Sequence, residues 1–347
     1  MQLSGLGRST IVAAGVCLLA VSAAGTARAA GLTDLKLPGE LIAVSCLSAS
    51  ECVTVGATYA GGGEIVAVHD GTRARVSLPR GTRQFIAVSC PSAAGCWALG
   101  QPTRGSSLVL AQISNTGRVT RTASVPVAKH VILSAISCVS LRACELAGEQ
   151  FNAGKPFRME AGSWNGRRLT LHSGPRPRAA SQAMIEQVSC YRGSCVAVGL
   201  ALYGSEVERG LVMTISNGRP VRVRTFTSYL FASVSCGSTT TCYAAGGFSS
   251  GPGFVVTLRD GVPGAGSRTT SDLTGIACTG RKCTAAGALV TSNADVGILA
   301  PVSAGRLSTI VADLKVAGYS GVSTRGHFGG FAAIGAGPRT GSVLTTD

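Results

Sequence analysis

The chain has 347 residues, 45% hydrophobic and only 5% aromatic, with 31 Lys+Arg against 16 Asp+Glu and a formal charge of +15. So few aromatic residues argue against a stacking platform for single-stranded nucleic acid and against a Trp-lined carbohydrate cleft, although the positive field attracts anionic partners. The 13 cysteines are spaced Cys-x5-Cys or Cys-x4-Cys and never Cys-x2-Cys, and no histidine recurs with them, which speaks for a disulfide framework and against structural zinc.

The N-terminus reads as a signal peptide over residues 1–29. Arg8 supplies the positive start, residues 11–24 a short apolar core, and Ala27-Arg28-Ala29 the small-x-small cleavage pattern. The apolar run is too short to anchor convincingly, and no later segment offers the roughly 18 apolar residues of a spanning helix. Cys17 lies inside the apolar core, so its removal leaves twelve cysteines, an even number. The expected location is secreted or cell-envelope associated, with no membrane span after cleavage.

The mature chain repeats. Ala43-Val44-Ser45-Cys46 is followed by Cys52 and Gly56, and Ala87-Val88-Ser89-Cys90 by Cys96 and Gly100. The pattern returns at Cys138, Cys144 and Gly148, at Cys190, Cys195 and Gly199, at Cys236, Cys242 and Gly246, and at Cys278, Cys283 and Gly287. A seventh copy, Gly321-Val322-Ser323-Thr324 with Phe331 to Gly335, has lost its cysteines. The period suits a four-stranded propeller blade of about 40–50 residues.

Within the first period, residues 41–45 form strand A, residues 51–56 strand B, residues 64–69 strand C and residues 73–78 strand D. Asp70-Gly71 is the turn between C and D. Asn165-Gly166, Asn217-Gly218 and Asp260-Gly261 repeat that turn. The seventh copy has no strand D, while residues 32–38 precede the first strand A without a blade of their own. The expected fold is therefore an all-β, seven-bladed propeller with four antiparallel strands per blade. Its ring is closed by the N-terminal strand pairing into the last blade, which removes an open sheet edge. The expected single domain spans residues 30–347. Its blades run over 39–83, 84–131, 132–183, 184–229, 230–271, 272–317 and 318–347 plus 30–38.

Each cysteine pair flanks an A–B turn and can face across an antiparallel ladder. The expected disulfides are Cys46–Cys52, Cys90–Cys96, Cys138–Cys144, Cys190–Cys195, Cys236–Cys242 and Cys278–Cys283. Each staples one blade locally.

Cys90-Pro91-Ser92, Val196-Ala197-Val198-Gly199 and Ser163-Trp164-Asn165-Gly166 resemble a family of exported bacterial β-propeller repeat proteins. Their blades carry Val-Ser-Cys-Pro-Ser, a second cysteine, Ala-Val-Gly and a later Trp-Asn-Gly. The resemblance covers all seven copies and implies fold and export but no catalytic residue. One departure is that only one copy keeps the Trp before Asn-Gly.

No Gly-x-Ser-x-Gly, His-Glu-x-x-His or phosphate-loop motif is present. The strands expected to line the channel carry almost no acid except Glu186, so the paired carboxylates of a glycosidase are missing. No catalytic residue, metal or cofactor is expected. Function is placed on the variable D–A and B–C loops of a rigid scaffold. The D–A loops offer Arg80, Arg83, Lys129, His130, Arg176 and Arg178, and the B–C loops offer Arg104, Lys155, Arg209 and Arg339. If these cations converge, they form a basic rim at the channel mouth. The expected protein is a monomeric, non-enzymatic recognition or scaffold propeller that binds a protein or an anionic cell-surface polymer such as a polysaccharide. A hydrolase or lyase with its site at the channel mouth, and a structural envelope protein, are the alternatives.

Overall fold

The computed structural model describes residues 33–37, 39–48, 51–69, 72–152, 155–204, 207–248, 251–290, 295–308, 311–313, 318–324, 331–336 and 341–345. The expected leader over 1–29 lies outside them, as does Arg339. Lys155 is placed at the start of a strand, but its side chain is not described.

Every described element is a strand. β1 is Thr33–Leu37. Blade one is β2 (Gly39–Cys46), β3 (Glu51–Thr58), β4 (Gly63–His69) and β5 (Thr72–Ser77). Blade two is β6 (Thr82–Ser92), β7 (Gly95–Pro102), β8 (Ser107–Ile113) and β9 (Val119–Pro126). Blade three is β10 (Val131–Ser140), β11 (Ala143–Asn152), β12 (Lys155–Trp164) and β13 (Leu169–Gly174). Blade four is β14 (Gln182–Tyr191), β15 (Ser194–Tyr203), β16 (Val207–Ser216) and β17 (Arg219–Phe226). Blade five is β18 (Leu230–Cys236), β19 (Thr241–Phe248), β20 (Gly251–Arg259) and β21 (Val262–Arg268). Blade six is β22 (Asp272–Thr279), β23 (Lys282–Val290), β24 (Asp295–Ser303) and β25 (Arg306–Leu307), with β26 (Val311–Asp313) also pairing to β24. β27 (Gly318–Thr324), β28 (Phe331–Ala336) and β29 (Gly341–Thr345) follow.

The expectation of a seven-bladed propeller is corrected to six blades. Six blades are built from strands consecutive in the chain, joined antiparallel in the order A-B-C-D. The remaining strands form a composite sheet in the order β1-β29-β28-β27, with Thr33–Leu37 paired antiparallel to Gly341–Thr345. The reason lies in the repeat. Residues 318–345 hold three strands and no cysteine pair, so they lack both the fourth strand and the staple that make a blade self-contained.

Position within a blade sets polarity. Strands B and C are sandwiched between neighbouring blades and read as almost continuous apolar runs, as in β7 and β8. Strand D is the outer edge, and β9 alternates exposed Thr, Arg and Ser with half-buried residues, a polar edge that discourages pairing with other chains. The apolar layers lie between blades. The two tryptophans of the chain meet in the layer between blades two and three, edge to face at 5.4 Å. There the Trp97 Nε1–H donates to the Leu141 carbonyl at 3.0 Å.

Three residues of the repeat have separate duties. The cysteines are joined as Cys46–Cys52, Cys90–Cys96, Cys138–Cys144, Cys190–Cys195, Cys236–Cys242 and Cys278–Cys283, each within one blade. The serine before the first cysteine ties blade to blade. Its hydroxyl accepts the N–H of the next blade's first cysteine, from Cys90 to Ser45, Cys138 to Ser89, Cys190 to Ser137, Cys236 to Ser189 and Cys278 to Ser235, at 2.9–3.0 Å. Ser323 of β27 accepts Cys46 N–H in the same way at 3.0 Å, linking the composite sheet to blade one. The glycine four residues after the second cysteine allows close approach. A Cβ on Gly56, Gly148, Gly199, Gly246 or Gly287 would collide with a strand-A carbonyl oxygen.

Candidate functional site

Strand A turns the same feature toward the centre in every blade. Its pairing to strand B skips one residue, a β-bulge that takes Ile42, Ile86, Ser134, Glu186, Ala232 or Thr274 out of the ladder register. A bulge re-aims a side chain, and here all six residues line one cavity of about 570 Å³. The cavity is walled by the A strands of the six blades and by Val322 of β27. It is the central channel.

Among the described residues the channel wall mixes aliphatic side chains with Gln101, Ser134, Gln187, Ser233 and Thr274, and its charged groups are Glu40 and Glu186. At its mouth, where the A strands begin, Ile132 and Met184 are 44% and 42% exposed. Asp272 occupies the matching start of β22 and is also exposed. Among the described residues the innermost surface thus carries acidic and aliphatic side chains.

The layer between blades three and four is apolar but carries a polar link close to the channel. Ile185 of β14 is held on both sides: its N–H donates to Glu149 Oε2 at 3.2 Å, and its carbonyl accepts the Ser134 hydroxyl at 2.5 Å. Glu149 is only 4% exposed. Burial pushes its carboxyl up to about 8; the Ile185 hydrogen bond opposes the rise and the neighbouring Glu186 adds to it. Glu186 is accessible from the channel yet enclosed by protein, and that desolvation raises it too. The next polar link crosses blades four to six. Gln187 Oε1 accepts the Val234 N–H at 2.7 Å and the Ser233 hydroxyl at 2.5 Å, and Ser233 Oγ accepts the Ile276 N–H at 2.9 Å.

The expected basic residues take varied places. Arg83 comes nearest the channel: its Nη2 donates to Gln101 Oε1, which also accepts from Gln84 Nε2 at 3.2 Å, and Gln101 lines the cavity. Lys129 and His130 form the D–A turn of blade three, with His130 at a φ of 68° and its carbonyl accepting Phe151 N–H at 2.9 Å. Arg178 is exposed on the D–A loop of blade four, and Arg104 on the B–C loop of blade two. Arg209 lies within strand C of blade four, its guanidinium over the Tyr203 ring at 4.3 Å. None of these cations lines the channel.

Glu149 escapes a reading by motif, but it carries a signal: an acid directly after the repeated glycine Gly148, where other copies carry Ala57, Leu200, Gly247 and Ala288. Its burial and its bond to the Ile185 backbone place it in the packing behind the channel wall and leave it closed to a ligand. Among the described residues no group of three or more His, Cys, Asp or Glu is placed to hold a metal, and no helix is long and apolar enough to cross a membrane.

No family model matches the chain. No curated protein matches it either. Solved propellers do. The structure of YCF48 bound to D1 peptide is similar at 11% identity and a TM-score of 0.55, covering 91% of this chain and 96% of that one. The WD40 β-propeller domain of Doa1 matches at 10% identity and 0.59, covering 91% and 97%. Hydrazine synthase of Kuenenia stuttgartiensis matches at 11% and 0.59, covering 89% and 96%. At such identities the likeness shows the propeller fold alone, a scaffold that hosts unrelated functions.

Proposed function

We propose that this protein is a non-enzymatic recognition propeller that holds a protein segment at the channel mouth, on the face of the D–A and B–C loops. The carrying observation is the mouth itself: exposed Ile132 and Met184 beside a channel whose charged groups are Glu40 and Glu186. Exposed aliphatic side chains rimming a preformed concavity are the anatomy of a docking site. The acid in the wall suits a segment with an apolar anchor and a basic residue. Arg83, Lys129, His130, Arg178, Arg104, Arg209 and Lys155 surround the mouth in this reading and meet acidic residues flanking the anchor; Arg339, outside the described residues, is assigned the same role from its place in the sequence. An anionic polysaccharide fits the acidic lumen poorly. One similar propeller, YCF48, is bound to a peptide. Six intramolecular disulfides fit an oxidising, extracytoplasmic compartment, consistent with export through the leader over residues 1–29.

A photo-crosslinking residue in place of Met184 tests this, with Val139, 43% exposed on the A–B turn of blade three, as the control. The expected result is a protein adduct from position 184 and none from 139. The captured segment, made as a peptide, then binds the oxidised protein and loses that binding with Met184→Asp and Ile132→Asp. Equal adducts from both positions, or peptide binding unchanged in the variants, overturns the reading.

A further inference from the structure

The opposite face carries a second concavity. Two adjoining clefts of about 350 and 560 Å³ share Thr257, Arg259 and Ala304 and run along the junction of blades five and six. They open on the face of the A–B and C–D turns. The junction has room because β21 reads Val-Pro-Gly-Ala-Gly and offers almost no side chain to fill it.

Its backbone is fixed from both blades. The Ser267 hydroxyl accepts Leu307 N–H at 3.1 Å and donates to the Gly305 carbonyl at 3.5 Å. Ala304 N–H donates to the Arg281 carbonyl at 3.0 Å, and Asp260 N–H to the Thr240 carbonyl at 3.2 Å. Gly305 sits so close to Thr257 that a Cβ there would strike its hydroxyl. Three guanidiniums project from this frame: Arg259, Arg281 and Arg306 line the clefts and are exposed. Among the described residues, none of the three makes an ion pair or a side-chain hydrogen bond. Asp260 beside Arg259 is the carboxylate on the same turn.

We infer that this junction is a binding groove for an extended acidic segment of a polypeptide, its carboxylates held by Arg259, Arg281 and Arg306. Guanidinium groups fork onto carboxylates in bidentate pairs, and three of them along one groove match a chain with repeated charge. The hydroxyls of Ser238, Thr241 and Thr257 line the groove and can bond a peptide backbone. Two competitors fit less well. Tyr243, the aromatic side chain in the lining, is 3% exposed and cannot stack on a sugar. A bilayer wants a flat surface with apolar anchors, and this is a recessed polar one. The site is separate from the channel mouth, so either can fail without the other.

The test uses the oxidised full-length protein and a short oligoglutamate peptide, with a sulfated glycan and vesicles rich in anionic lipid as the other arms. The expected result is peptide binding that weakens steeply between about 50 and 200 mM salt. Arg259→Glu with Arg281→Glu weakens it by roughly tenfold or more, Arg306→Gln weakens it less, and Arg222→Glu, exposed on the outer strand β17, leaves it unchanged. An unchanged disulfide map and thermal midpoint show that the variants are folded. Absence of salt-sensitive peptide binding, equal binding by the folded variants, or tighter binding of the glycan or the vesicles overturns the inference.

Discussion

The two faces of the propeller differ in construction and in charge. The face of the A–B and C–D turns is regular: six disulfides close its A–B hairpins, and left-handed glycines such as Gly166, Gly218 and Gly261 make its C–D turns. It is also basic, with exposed Arg118, Arg142, Arg192 and Arg219 at those turns besides the cleft arginines. The face of the D–A and B–C loops is irregular, and its centre is acidic and apolar. Regularity therefore does not mark a face as inert. Turns that repeat for structural reasons can still present a repeated charge, because the residue after a tight turn points to solvent and is free to vary.

The largest test of this contrast is reduction. A loop of six or so residues closed by a disulfide contributes about 2 kcal/mol on the chain-entropy model, so reducing all six costs on the order of 10 kcal/mol. Thermal unfolding followed by circular dichroism is expected to shift far downward in reductant, with the hairpin face losing protection from hydrogen exchange. A small shift would mean that interblade packing alone holds that face.

The mouth is held differently, by close backbone approach. Gly148→Ala drives a Cβ into the Ile132 carbonyl, and a cost of about 2–3 kcal/mol in denaturant unfolding is expected. A neutral substitution would show that the A and B strands can part at no cost.

A pH titration separates the faces further. Glu149, raised to about 8, holds its proton more tightly in the folded protein than in the unfolded chain. The stability it contributes is full below its ordinary value of 4.5 and is lost as pH climbs through about 8, on the order of a few kcal/mol in all. Glu145, Glu160 and Glu186 are raised in the same direction. Urea midpoints should fall from about pH 5 to about pH 9, and Glu149→Gln should flatten much of that slope. An unchanged slope in the variant would remove Glu149 from the account.

The smallest effect concerns the latch between blades. Ser137→Ala leaves the Cys190 N–H without its acceptor, and about 1 kcal/mol is expected. Copy six already carries Ala277 at that position and so offers β27 no hydroxyl acceptor of this kind.

How much of this could be read beforehand differs from part to part. The Cys-x5-Cys and Cys-x4-Cys hairpins, the Asp-Gly and Asn-Gly turns and the strand periods are local, and the sequence states them plainly. The blade count was not local. Val322-Ser323 looks like any other copy, and both its missing staple and its pairing with Thr33–Leu37 are legible in the sequence, but a sheet assembled from both ends of the described chain is not one of the six self-contained blades. Whether Arg83 and Lys129 meet in a basic rim depends on how loops of different blades converge, which their spacing along the chain does not set; the channel below is lined by Ile42, Ile86, Glu40 and Glu186.

The sequence by itself determined the propeller class, the strand periods and the blade-by-blade positions of the cysteines, because repeated residues at fixed spacing make each hairpin a local problem. Only the tertiary structure decided which residues line the channel, since a bulge in strand A redirects Glu186 and Ile86 in a way that alternation does not announce. It alone brought Glu149 of blade three to Ile185 of blade four, and Arg259 of blade five to Arg281 and Arg306 of blade six. Those meetings depend on how blades pack side by side, and no spacing along the chain encodes that distance.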